Sequence, residues 1–254
     1  MVEYSSAEQS EILSAFQTLN NNNIQYVVCR GHQDLPQSVP GADIDFLVHY
    51  DDYEQTRKLL QSKMFSTPKK TVLINIRRYS KIAMKKPKDA IRKLITDPFD
   101  LLRMLTDTGT GADSLRGTYK ETKLQKDSIK LHFFNHLAYK SPMNNKPVRV
   151  NPEVGNKMIR RRSRNDEFFV PSPPDELAHL ICRGIFDKDG HFPDYYIDRC
   201  SKLEEIISNN EKFEEEFDEL LKSIFFDADV VVKKAIESGE YDSLRANLRM
   251  YSNY

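Results

Sequence analysis

No stretch of about 18 consecutive apolar residues occurs in the chain, which argues against a membrane-spanning helix. The N-terminus, Met1-Val2-Glu3-Tyr4-Ser5, lacks the basic-then-apolar order of a secretory signal, so the expected location is the cytoplasm, with no membrane partner. Cysteine is scarce: Cys29, Cys182 and Cys200 are odd in number, far apart and each in an apolar or helical context. A disulfide framework or a zinc site does not fit that pattern, and the three read as small buried hydrophobes. Net charge is missing too, since 38 Lys and Arg balance 38 Asp and Glu. Without a strongly basic balance, a zinc knuckle or an RNA-recognition aromatic signature, a nucleic-acid partner is not favoured, although a polynucleotide stays open as an acceptor. Internal repeats and low-complexity tracts are also absent.

What is present is enough chain, 254 residues, for one large domain or two small ones with a substantial core. The charges are unevenly placed: residues 69–103 are strongly basic and residues 204–219 strongly acidic. The basic stretch can face phosphates or form a solvated helix face. Ile12, Leu13, Phe16 and Leu19 recur at helical spacing over 7–19, and the run Asn20-Asn21-Asn22-Asn23 stops that helix. Residues 24–29, Ile-Gln-Tyr-Val-Val-Cys, read as a strand buried on both faces. A loop then runs from Arg30-Gly31 to Ala42, and a second strand, 43–49, leads into a helix over 53–60 behind the capping pair Asp51-Asp52. Further on, a strand is expected at 72–78, basic helices at 88–106, an exposed loop at 108–117 and a strand at 128–134. The run Pro171-Ser172-Pro173-Pro174-Asp175-Glu176 is a helix-start signal, and the chain beyond it reads as helical. The expected class is α+β, a mixed sheet flanked by helices over 1–145 followed by a helical part over 146–254.

The chemistry centres on Asp43 and Asp45. Residues i and i+2 of a strand share a face, so this pair presents two carboxylates together while Ile44 and Phe46 turn away. Adjacent anions repel, and a cation between them is the simplest compensation. Oxygen ligands with room for phosphates suit Mg²⁺. Gly31 follows the first buried strand and precedes the aspartates by a short loop, where a glycine lets backbone N–H groups approach a phosphate. Strand, glycine turn and paired aspartates form a phosphoryl-transfer layout, in which positioning and electrostatics do most of the catalysis. Lys130, His132 and Phe134 share one face of a later strand. If that face meets the aspartates, His132 is a candidate base and Lys130 a candidate nucleotide ligand; Asp127, just before the strand, is the other candidate base. A half-buried structural histidine is the competing reading of His132.

The segment Val28-Cys29-Arg30-Gly31-His32, ten further residues, then Asp43-Ile44-Asp45-Phe46-Leu47-Val48 resembles the Gly-Ser and Asp-x-Asp signature of the polymerase-β-like nucleotidyltransferase superfamily. More narrowly, it is similar to an uncharacterised group of nucleotidyltransferase family proteins with an Arg-Gly, Leu-Pro and Gly-x-Asp-Ile-Asp pattern. Leu131-His132-Phe133 and Phe169-Val170-Pro171-Ser172 with Asp175-Glu176-Leu177 extend the similarity over roughly residues 10–200. The resemblance implies that Arg30, Gly31 and His32 meet nucleotide phosphates and that Asp43 and Asp45 hold Mg²⁺ or Mn²⁺, with an NTP as co-substrate. It also implies transfer of a nucleoside monophosphate to an acceptor, a small molecule, sugar or protein, with release of pyrophosphate. Two departures bear on this: His32 replaces the usual serine, and Lys130-Leu131-His132 replaces an Asp-x-His, so no third carboxylate is identified. The alternatives are a degenerate nucleotide-binding module and a toxin-like enzyme acting on tRNA.

Other features carry blander readings. The cluster Arg160, Arg161, Arg162 and Arg164 can clamp a triphosphate but reads first as a solvated linker. His179, among Leu177, Leu180 and Ile181, reads as a core residue. Tyr195 and Tyr196 can line an acceptor pocket or simply pack.

Overall fold

The computed structural model describes residues 1–68, 120–140, 147–188 and 190–244. The strand expected at 72–78, the helices at 88–106 and the loop at 108–117 lie outside the described residues, as does the boundary drawn between 145 and 146. The described residues form a mixed α/β structure, a mixed sheet with helices. Among them no helix is long and apolar enough to cross a membrane.

Strand β1 (Val2–Glu3) leads into helix α1 (Ser6–Asn21) through a capping box, in which the Ser5 hydroxyl accepts from the Glu8 N–H and the Glu8 carboxylate accepts from the Ser5 N–H at 2.9 Å. Ile12, Ala15, Phe16 and Leu19 are its buried stripe, and Asn23 turns the chain away at φ +56°. Strands β2 (Tyr26–Val28), β3 (Ser38–Val39) and β4 (Ile44–Val48) follow; β3 pairs with β1 and β2 with β4, both antiparallel. Helix α2 (Tyr53–Ser62) forms where expected, but Asp52 does not cap it. Its carboxylate accepts instead from the Gln25 N–H at 2.8 Å and ties the helix start to the entry of β2.

Strands β5 (Glu121–Lys126) and β6 (Ile129–Phe134) form a hairpin turned at Asp127, which adopts φ +53°. They complete a four-stranded sheet of order β2-β4-β6-β5, in which β4 and β6 are parallel and the other neighbours antiparallel. The β5 sequence, Glu-Thr-Lys-Leu-Gln-Lys, hides its strand: only Thr122 and Leu124 turn inward, and long polar side chains occupy the rest. Ile44, Phe46 and Val48 of β4 join Leu131 and Phe133 of β6 in a core with α1. The opposite face, with Val27, Cys29, Leu47 and Phe134, packs on the C-terminal helices.

After β6 the chain makes a second hairpin, β7 (Ala138–Lys140) with β8 (Pro147–Arg149), then helix α3 (Pro152–Arg161). Asn151 caps α3 and Pro152 occupies its first turn. The region expected to be a solvated linker is ordered structure: Arg160 and Arg161 end α3, and β9 (Ser163–Asn165) pairs with β10 (Phe168–Val170). Arg161 forks onto the buried Asp175 carboxylate at 2.9 and 2.5 Å, and Arg162 lies 4.6 Å over the Phe169 ring. The remaining described residues are mainly helical, as expected: α4 (Pro173–Cys182), a π-helical turn over Arg183–Asp187, α5 (Asp194–Ser208), α6 (Glu211–Phe225) and α7 (Asp229–Glu237). Helix α4 is buried almost throughout because it packs against α5 and α6 within the core that also takes the sheet face.

Candidate metal centre

Asp43 ends the loop before β4 and Asp45 is the second residue of that strand. Parallel pairing sets His132 opposite Asp45, and antiparallel pairing sets Lys123 opposite His132, so one row of side chains crosses three strands on one face. His132 Nδ1 lies 2.8 Å from Asp45 Oδ1. Arg30, from the turn after β2, donates to Asp45 Oδ2. Lys123 Nζ lies 2.5 Å from Asp43 Oδ2, and the Glu121 carboxylate, two residues back along β5, is 3.7 Å from His132 Nε2. Asp45 is buried; Asp43, His132, Arg30 and Glu121 are each partly exposed.

Three carboxylates thus face three basic groups. Burial alone would raise the Asp45 carboxyl, but Arg30 and then His132 overcome it and hold Asp45 far below the usual carboxylate range. Arg183, in the turn after α4, adds further positive charge on Asp45. Burial would lower His132, but its contacts with Asp45 and then Glu121 outweigh it and raise the pKa above the ordinary imidazole value. Ligand atoms of Asp43, Asp45 and His132 lie within 4.8 Å of one another, close enough to share a single cation. His132 Nε2 is buried and has no hydrogen-bond partner among the described residues, and the same holds for Arg30 Nε. Two carboxylates and one imidazole are a donor set that fits a divalent metal whose remaining positions are filled by oxygen.

The glycine turn has a local explanation of its own. Gly31 adopts φ +63°, and a Cβ there would stand 2.9 Å from the Pro40 ring atoms, so both backbone and packing require glycine. His32 is buried and turned towards α4: its Nε2 is 3.3 Å from Glu176 Oε2. Gln33 donates to the same carboxylate at 2.9 Å, and Arg199 of α5 forks onto it at 2.9 and 2.5 Å. Burial would raise Glu176, but His32 and then Arg199 bring it down to about 2.

Of the residues singled out in the sequence, Asp43, Asp45, His132 and Arg30 come together, with Gly31 next to Arg30 and His32 directed into the helical part. Lys130 shares the His132 face by alternation but pairs across to Gln125 and, among the described residues, makes no ion pair with either aspartate. Asp127 is exposed in the hairpin turn. Tyr196 is buried and stacks edge-on with the half-exposed Tyr195 at 4.7 Å; His179 is buried and hydrogen-bonded to the Tyr139 hydroxyl at 2.7 Å. Lys123, Glu121, Glu176 and Arg199 were missed. The first two sit in the strand whose pattern is masked by charge, and Glu176 reads locally as an acidic first-turn residue of a helix. Comparison with protein-family models, curated proteins and solved structures finds no match to the chain.

Proposed function

We propose that the chain is a metal-dependent nucleotidyltransferase of polymerase-β-like architecture, with Asp43 and Asp45 as its metal-holding pair. The observation that carries this reading is the convergence of Asp43, Asp45 and His132 on one sheet face within 4.8 Å, beside the turn at Gly31. A mixed sheet with helices accords with such a fold, though one fold hosts many functions and the site bears the argument. Asp43 and Asp45 would hold Mg²⁺ or Mn²⁺, which when bound supplies charge compensation for phosphate oxygens and the departing pyrophosphate.

The chain's own residues divide the remaining work. Arg30, beside the site, offers guanidinium donors to the triphosphate of an NTP. The acceptor's hydroxyl, amine or phosphate forms a bond to the α-phosphorus, the α–β phosphoanhydride breaks, and pyrophosphate leaves with the electron pair. The acceptor's proton needs a base, and His132 is held for that role from two sides, by Asp45 at Nδ1 and by Glu121 near Nε2. Glu121 supplies the further carboxylate that the strand of His132 lacks.

Metal-dependent release of pyrophosphate from an NTP, abolished by Asp43→Ala, is the expected activity. A second reading has its own support: Arg30, His132 and Lys123 already pair with the aspartates, as suits a module that binds nucleotide without turnover. That reading predicts metal-dependent NTP binding with no pyrophosphate released.

A further inference from the structure

We propose that Lys123 and Arg30 are phosphate ligands held in reserve, pairing with Asp43 and Asp45 until a metal-bound polyphosphate arrives and then transferring from carboxylate to phosphate oxygens. The inference rests on the nucleotidyltransferase reading and names how that same site recognises its ligand.

Three of the four carboxylate oxygens in the aspartate pair already have basic side-chain partners: Asp43 Oδ2 has Lys123, Asp45 Oδ2 has Arg30, and Asp45 Oδ1 has His132. A divalent cation entering the cluster needs those oxygens and is repelled by the ammonium and guanidinium groups beside them. Metal alone therefore binds against the protein's own charges. A polyphosphate arriving with the metal changes the balance, because its oxygens accept the displaced donors while the metal takes over the carboxylates.

The two side chains are suited to that exchange. Lys123 stands on the outermost strand of the sheet and is 38% exposed, so its flexible stem can carry the ammonium to a new anion without disturbing the core. Arg30 uses one terminal nitrogen on Asp45, and its buried Nε has no partner among the described residues, which leaves donors for a phosphate. Metal and polyphosphate then favour each other's binding, and by linkage each raises the affinity of the other by the same factor. Lys123 is the residue that makes the coupling testable, because it touches Asp43 without belonging to the metal's donor set.

The test measures Mn²⁺ binding to the full chain by electron paramagnetic resonance, with Mn²⁺ alone and with its complex with inorganic tripolyphosphate. Lys123→Met keeps the apolar stem and removes the charge; Lys123→Arg keeps the charge. The proposal expects Lys123→Met to bind Mn²⁺ alone on the order of tenfold more tightly than wild type and the tripolyphosphate complex on the order of tenfold more weakly, with Lys123→Arg close to wild type in both. Mn²⁺ binding that is lost in Asp43→Asn but not tightened in Lys123→Met would overturn the exchange and leave the metal site standing. No Mn²⁺ binding by wild type or Lys123→Met, with or without tripolyphosphate, would overturn the metal reading itself and the exchange with it.

Discussion

Asp45 and Asp43 are two residues apart yet differ in what surrounds them. Asp45 is 3% exposed and answers two cationic side chains, whereas Asp43 is 19% exposed and answers one flexible lysine. Removing the charge of Asp45 strands a largely buried guanidinium and imidazole, so Asp45→Asn is expected to cost about 3 kcal/mol of stability. Asp43→Asn is expected to cost at most about 1 kcal/mol, the range of a solvent-screened pair. Urea unfolding of both variants checks the difference, and equal losses would contradict it. The aspartate pair was legible in the sequence because alternation decides which side chains of one strand share a face, whereas the meeting of His132 with Asp45 was only conditional, since it rests on the parallel pairing of β4 and β6. The compensation of the aspartates was not legible, because Arg30 and Lys123 reach them through sheet pairing between distant segments, which no local pattern encodes.

At the level of elements, the buried strands and the first helix announce themselves. The segment 24–29 is apolar on both faces because the sheet is covered on both, and α1 carries its apolar stripe in the sequence. Strand β5 does not, since only one of its faces meets a core and its other side chains are long and polar. The hairpin β9–β10 was obscured by the arginine run around it: Arg161 and Arg162 read as solvated but instead serve Asp175 and Phe169, whereas Arg160 and Arg164 are exposed. The glycine turn was foreseen for a ligand's sake, yet its geometry is demanded by the fold. Gly31→Ala meets both an unfavourable φ and the Pro40 ring, and is expected to cost roughly 1–3 kcal/mol. Gly239 has φ +69° with nothing within 4 Å of an added Cβ, so Gly239→Ala is expected to cost less. Urea midpoints compare the two, and a larger loss at Gly239 would contradict the packing argument.

Across the whole molecule, the sheet and the C-terminal helices share one core: Val27, Cys29, Leu47 and Phe134 pack in the same cluster as Leu177, Ile181 and Leu221. The change of texture from strands to helices was legible; the shared core was not, because it joins residues more than a hundred positions apart. Glu176 fastens the two parts at the glycine turn through His32, Gln33 and Arg199. Its pKa falls from the ordinary glutamate value of 4.5 to about 2 on folding, because His32 and Arg199 outweigh burial. Between those values the unfolded chain holds a proton that the folded chain does not, so the stability from this carboxylate is complete above about pH 4.5 and is lost as pH falls towards about 2. Glu176→Gln is therefore expected to lose on the order of 3 kcal/mol at neutral pH and to show a shallower decline of stability below pH 4.5. Unfolding curves taken over that range test it, and an unchanged acid slope would remove Glu176 from the account.

The central claim, a metal site that receives a nucleotide at Asp43 and Asp45, is tested most directly by the melting temperature with each NTP, with and without Mg²⁺ or Mn²⁺. The wild type is compared with Asp43→Asn/Asp45→Asn. A ligand that binds only the folded chain must raise that temperature, by the equivalent of about 2.7 kcal/mol at a hundredfold excess over Kd. The account predicts a metal-dependent rise with at least one NTP that disappears in the double variant. No rise with any NTP and either metal, or a rise that survives the double substitution, would contradict it.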